Sequence, residues 1–292
     1  MEQQAKKIWI FDSTLRDGAQ GEEISFSVQD KLNIVQTLDQ LGIDYIEAGN
    51  PGSNPKDLEF FERVGQLTLH HAKLVAFGST RRKEEKVEDD INLQALLSAN
   101  TKAVSIFGKS WDFHVTDIIH TTLEENLRMI EETVAFLKAH GKEVIFDAEH
   151  FFDGYKRNPD YAMQTLLAAQ KGGADYICLC ETNGGAFPDE VSHIVAQVLP
   201  QLRVPVGIHT HDDGGMAVAS SVMAVLAGAQ MVQGTLIGFG ERCGNANLSA
   251  IIANLQLKRN YQCIPPENLH KLMQTCRVVS EISNVRLHKN TP

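Results

Sequence analysis

From Lys7 to Leu257 the chain alternates short apolar runs with stretches of helical spacing, and it does so eight times. The runs are Lys7–Phe11, Asp44–Ala48, Lys73–Phe77, Ala103–Phe107, Glu143–Glu149, Asp175–Cys180, one ending at His209, and Gln230–Gly234. After them, helical spacing is read from Val28 to Leu41, around Leu58 to Val64, and over Val87–Ala99, Leu123–His140, Asp160–Lys171, Val191–Val198, Ala217–Ala227 and Leu248–Leu257. The first helix carries its own punctuation. Ser27 followed three residues on by Asp30 can cap it, Val28, Leu32, Val35 and Leu38 set its apolar face, and Gly42 closes it. Eight strand-then-helix units is the count of an α/β (β/α)8 TIM barrel. A doubly wound open sheet needs no eighth unit and usually shows an early phosphate-binding glycine turn. Gly238-Phe-Gly240 is not that fingerprint, because its third glycine falls at Gly244, one place late. The expectation is a barrel over residues 1–260 and a helical extension over 261–292, with a helix from Leu269 to Ile282.

The formal charge of −10 argues against a general nucleic-acid or anionic-membrane binder. No apolar run approaches a membrane span, and the start, MEQQAKKIWIF, has no signal-peptide core. Five cysteines form no C-x-x-C pair and no disulfide-dense pattern, so the cytoplasm is the expected compartment.

In such a barrel the loops after the strands share one face, and active sites sit there. The unusual polar residues of this chain fall on those loops. Arg16 and Asp17 follow the first strand, Glu47 ends the second, Glu149 the fifth, and Thr182 follows the sixth. His209 and His211 end the seventh, in Gly207-Ile-His-Thr-His-Asp-Asp-Gly-Gly215, and Gly238–Asn247 follows the eighth. Side chains at i and i+2 leave a strand on the same face, so the two imidazoles converge. One carboxylate, two imidazoles and an amide oxygen suit a divalent ion with open positions, with Mg, Mn, Co and Zn all compatible. An arginine beside a ligating carboxylate can stabilise charge developing on a substrate oxygen.

Thr14-Leu-Arg-Asp-Gly18, His209-Thr-His211 and Gly238-Phe-Gly-Glu-Arg-Cys-Gly-Asn245 resemble the signature segments of the metallolyase barrel family. That family includes 2-isopropylmalate, homocitrate and citramalate synthases and hydroxymethylglutaryl-CoA lyase. Pro51–Asp57, Phe107–Asp112 and Asp147–Lys156 look most like its citramalate synthase branch. The resemblance implies a condensation of acetyl-CoA with pyruvate, then thioester hydrolysis to (R)-citramalate and CoA, in isoleucine and branched-chain amino-acid biosynthesis. By match to the family motifs, Asp17, His209, His211 and Asn245 would ligate the metal. Arg16 would stabilise the enolate or new alkoxide, with Glu47 holding it. Glu149, Thr182 and Gln20 would line the substrate site. It also implies a homodimer, and further subdomains in relatives, so that this chain corresponds to the catalytic part without a regulatory domain. Three positions depart from the pattern: Asp212 where relatives commonly carry Asn, Asn50 in place of Trp, and Ala219-Ser220-Ser221.

Other residues carry weaker expectations. Arg81 and Arg82, after the third strand, could meet CoA phosphates, or form a solvated cluster with Glu84 and Glu85. Cys243 could move a proton, as a cysteine does in the lyase branch, given a lowered pKa. His114 could touch substrate, while Cys178 and Cys180 read as small core residues. Competing functions are a synthase for another 2-oxo acid such as 2-oxoisovalerate, a lyase of 3-hydroxy-3-methyl acyl-CoA, and a fragment that binds metal and 2-oxo acid without turnover.

Overall fold

The computed structural model describes residues 5–53, 55–287 and 289. Eight parallel strands close into a barrel: β2 (Trp9–Asp12), β3 (Tyr45–Glu47), β4 (Lys73–Ser79), β5 (Ala103–Lys109), β6 (Glu143–Glu149), β7 (Tyr176–Glu181), β8 (Val206–Thr210) and β9 (Met231–Gly234). β9 pairs with β2 through Trp9–Met231 to Asp12–Gly234, which seals the ring and leaves it no open edge.

The helices begin and end where local chemistry says they should. In α1 (Val28–Leu41) the Ser27 side chain accepts from Asp30 N–H and Asp30 returns the bond, a reciprocal capping box. Gly42 ends the helix at φ 95°, where a Cβ would be strained. α2 (Pro55–Val64) follows β3. α3 (Ile91–Ser98) starts later than the expected Val87, because Asp90 accepts from Leu93 N–H and fixes the N-terminus there. After α4 (Leu123–Ala139) the sequence reading missed one element, α5 (Phe151–Arg157), which precedes α6 (Pro159–Gly172). It is only seven residues long, and its His150 N-cap sits at φ 54°, so it shows too little periodicity to detect. α7 (Pro188–Val198), α8 (Ala217–Ala227) and α9 (Leu248–Lys258) complete the ring.

The barrel interior is filled at its base by Phe11, Tyr45, Val75, Ala103, Ile145 and Met231, all essentially inaccessible to solvent. A second apolar layer lies between strands and helices. Each large apolar side chain contributes about 1.5–3 kcal/mol by leaving water, so the scaffold holding the loops is rigid. Beneath it β1 (Lys6–Lys7) pairs with β10 (Tyr261–Gln262), a two-stranded sheet that two-residue runs could not announce. The chain then forms α10 (Leu272–Ser283), which packs on α1.

Candidate active site at the strand carboxyl ends

The loop after β2 is pinned before it presents any functional group. Asp12 accepts from both the N–H and the hydroxyl of Thr14, at 2.9 Å each, and Leu236 N–H donates to the same hydroxyl, tying this loop to the one after β9. Gly18 N–H and Arg16 N–H both donate to Ser13 O. The turn delivers Asp17, 3% exposed, to the barrel axis. There Asp17 Oδ2 lies 3.3 Å from His209 Nε2 and 3.9 Å from His211 Nε2, and the two Nε2 atoms are 3.1 Å apart. The i, i+2 spacing at the end of β8 thus puts both rings on one point.

Burial would push the Asp17 carboxyl up, but Arg16 and the two histidines hold it well below the usual carboxylate range. His209 is raised: burial opposes this, and the Asp17 carboxylate outweighs it. Burial and its histidine neighbour push His211 down to about 3. The three donor atoms form a group that could hold a metal ion. The surroundings fit one. Facing ring nitrogens 3.1 Å apart need a cation or a single shared proton between them. The Asn245 carboxamide, 1% exposed, has no hydrogen-bond partner on either atom among the described residues, and its backbone pairs with that of His211. An orphaned buried amide beside two imidazoles and a carboxylate is a mixed N/O donor set.

Beside this cluster is a cavity of about 230 Å³. Arg16 forms one wall, its guanidinium 3.9 Å above the Phe77 ring and its Nε 2.6 Å from Glu47 Oε2. Glu47 is fully buried behind Arg16 and also accepts from Ser13 Oγ at 2.6 Å. Gln20, Glu149 and Thr182 line the cavity as well. Glu149 pairs with Lys109, and the Thr182 hydroxyl accepts from His150 N–H at 2.9 Å.

Other residues are not brought to this point. Arg81, expected to meet CoA phosphates, has its guanidinium folded onto α4, held at 2.8 Å by Glu125 and 2.7 Å by Glu132, with its side chain only 5% exposed. Arg82 stays in solvent with a long 3.8 Å pairing to Glu85. His114 stacks on Trp111 and meets His150 edge-on, outside the cavity lining. Cys243 is exposed on the β9 loop, also outside it. Asp212, one of the three departures from the family pattern, accepts from Ala217 N–H, at the start of α8, at 2.8 Å. Cys178 and Cys180 are core residues, as read, and Cys180 also borders the cavity.

Sequence reading missed several lining residues: Phe77, Phe107, Asp147, Gln233 and Glu241. Phe77 and Phe107 stack at 5.4 Å. Alternation along β4 and β5 could have flagged both rings, since each shares a face with inward neighbours two residues back.

A family model described as HMGL-like matches residues 7–279, and the chain belongs to that family. It is 56% identical over 289 residues to an (R)-citramalate synthase of Aquifex aeolicus (strain VF5), covering 99% of this chain and 55% of the relative. Identity to an (R)-citramalate synthase of Synechocystis is 54%, covering 98% of this chain and 54% of that one. The chain therefore spans about half the length of the curated relatives it matches. Among solved structures, an HMG-CoA lyase of Bacillus subtilis aligns with TM-score 0.79 over 99% of this chain and 98% of its own, at 19% identity, a likeness of fold.

Proposed function

We propose that this chain carries the catalytic barrel of an (R)-citramalate synthase, condensing acetyl-CoA with pyruvate and releasing CoA by hydrolysis of the thioester. The observation that carries the reading is the convergence of Asp17, His209 and His211 beside a small cavity walled by Arg16. At about 230 Å³ the cavity lies below the roughly 300–1,000 Å³ of pockets for larger ligands, which suits a three-carbon acid. Its relatives' names support the same acceptor.

Asp17, His209, His211 and Asn245 would hold a divalent ion, Mg, Mn, Co or Zn. An ion held there would supply Lewis acidity to a bound 2-oxo acid. The rest falls to the chain's own groups. Arg16 presents a guanidinium to the keto oxygen, which gains charge when the acetyl methyl group gives up a proton to a base and its carbon bonds to the keto carbon. Glu47 and the Phe77 ring fix that guanidinium, so little reorientation is needed when charge develops. Glu149, Thr182 and the stacked Phe77 and Phe107 rings line the same cavity. Exposed Arg82 is a cation available to a CoA phosphate. Five free cysteines suit the reducing cytoplasm, and the family resemblance favours a homodimer, which sedimentation would test.

Thiol release from acetyl-CoA, with pyruvate or 2-oxoisovalerate and with or without divalent metal, tests the reading. Metal-dependent release with pyruvate is expected. Release with 2-oxoisovalerate alone would overturn the acceptor. Because the chain spans about half of its relatives, a second reading is a fragment that binds metal and 2-oxo acid without turnover. Binding of both by calorimetry, with no thiol released, would establish it.

A further inference from the structure

His209 meets Asp17 and His211 through Nε2, which leaves Nδ1 on the opposite edge of the ring. That atom lies 3.2 Å from Gln233 Oε1, its cross-strand neighbour in the β8–β9 register. Which end of the Gln233 amide faces the ring is decided from the far side. Gln233 Nε2 lies 2.8 Å from Asp147 Oδ1, and an ionised carboxylate only accepts, so the NH2 group turns to Asp147 and the oxygen to His209. The other Asp147 oxygen takes the Ser105 hydroxyl. Ser105, Asp147, Gln233 and His209 are between 0% and 5% exposed, so no bulk water competes for these bonds. They come from β5, β6, β9 and β8, forming one polar chain across an otherwise apolar interior, below the donor cluster. A buried chain of this length is costly unless every member is satisfied, and here it ends on a candidate ligand.

We propose that Gln233, oriented by Asp147 and Ser105, is a positioning residue that keeps the His209 proton on Nδ1 and so directs the Nε2 lone pair at the cation site. This rests on reading His209 as a metal ligand. Partners on the far nitrogen of a ligating histidine fix its tautomer and ring angle, and losing them costs roughly 10–100-fold in metal affinity. The sharpest perturbation is Asp147→Asn, the same shape without the charge. The introduced carboxamide no longer holds Gln233 one way round: the native order persists only where Ser105 Oγ accepts the new NH2 group, and where that group donates to Gln233 Oε1 instead, the Gln233 NH2 group turns to His209 Nδ1. In the turned order the ring is driven to the wrong tautomer, with a proton where the cation should sit.

The test is Mn²⁺ and Zn²⁺ affinity by calorimetry, with the His209 Nδ1–H of the zinc-bound protein followed by ¹⁵N NMR. Asp147→Asn and Gln233→Leu are each expected to weaken binding roughly 10–100-fold. The first removes a charge and the second does not, so a shared loss marks orientation rather than net charge. In the double variant Asp147→Asn, Gln233→Glu the carboxylate moves one residue along the chain. The new carboxamide donates to the new carboxylate, which in turn accepts from His209. Affinity and a slowly exchanging Nδ1–H should return to near their wild-type values. Wild-type affinity in Gln233→Leu, wild-type affinity in Asp147→Asn once its Nδ1–H is lost, or no recovery in the double variant, would overturn the positioning role. A wild-type chain that binds neither ion would instead refute the metal reading beneath it. Should Gln233→Leu fail to fold, the two isosteric changes decide the matter alone.

Discussion

The Arg16–Glu47 pair is the place where the candidate site and the stability of the fold meet, so Glu47→Gln probes both. Glu47 is fully buried, its Oε2 accepts from Arg16 Nε and Ser13 Oγ at 2.6 Å, and its Oε1 has no partner among the described residues. Removing one partner of a buried ion pair costs about 3–5 kcal/mol, because the remaining charge stays buried. Glutamine recovers part of this by accepting one bond from Arg16, worth about 1 kcal/mol. Its NH2 group, however, would occupy the position of the unpartnered oxygen and meet no acceptor, which costs about 1–3 kcal/mol. A net loss of at least about 3 kcal/mol follows. For a chain of this size that lowers the melting temperature by roughly 6 °C, at about 2 °C per kcal/mol. Arg16 would then be balanced chiefly by Asp17, 3.5 Å away, and would be drawn toward the donor cluster and off the cavity wall. Thiol release should fall on the order of a hundredfold, the scale of losing one oriented donor to a developing oxyanion. The assays are calorimetric melting and thiol release with pyruvate. A melting shift under about 2 °C together with near wild-type turnover would refute the account of Glu47 as the group that holds Arg16.

The remaining expectations concern other parts of the molecule. His209→Ala should abolish tight divalent-metal binding, and retained stoichiometry by calorimetry would refute its assignment as a ligand. Phe107→Ala, which removes half of the stacked Phe77–Phe107 wall, should shift the ratio of turnover from pyruvate toward 2-oxoisovalerate by about 1–3 kcal/mol, measured by thiol release, and an unchanged ratio would mean that the acceptor's side chain lies elsewhere. Burial raises the Asp39 carboxyl, but three backbone N–H groups, from His70, His71 and Ala72, outweigh it and hold the group below its ordinary value of 3.8. A lowered folded-state pKa contributes stability that is present above the unfolded value and lost as pH falls through the folded one. Urea unfolding followed from about pH 5 down to about pH 2.5 should therefore show a shallower acid loss in Asp39→Asn than in the wild type, and parallel curves would refute the role.

How much of this could be read from the chain depends on the range of the interaction. The barrel was legible because each strand–helix unit announces itself locally. The Ser27–Asp30 box and Gly42 set α1 to the residue, and β6 occupies Glu143–Glu149 as read. The convergence of His209 and His211 was legible for the same reason, since a two-residue period needs no distant partner. Asp17 followed from closure of the ring, because the loops of all eight strands meet on one face. Arg81 shows where this reasoning stops. Position on the active face was inferred correctly for its strand, but the side chain answered to Glu125 and Glu132, which lie on a 17-residue helix whose rotation no local signal sets.

The polar chain from Ser105 to His209 lay beyond sequence reading for a deeper reason. Gln233 and Asp147 are 86 residues apart, and each sits in a run that reads as an ordinary buried strand. A polar residue inside such a run is the one local irregularity, and it marks a group that must find a partner inside the barrel or destabilise it by a few kcal/mol. Once the ring is closed, few partners are available: inward positions at one level belong to alternate strands, and those levels are otherwise filled by Phe11, Tyr45, Val75 and their neighbours. Asp147, Gln233, Ser105 and His209 are therefore driven to satisfy one another. The same constraint that makes the barrel stable thus fixes the orientation of a candidate ligand at its mouth. A polar residue in an otherwise apolar barrel strand is accordingly the position from which to search inward for the groups that aim the site.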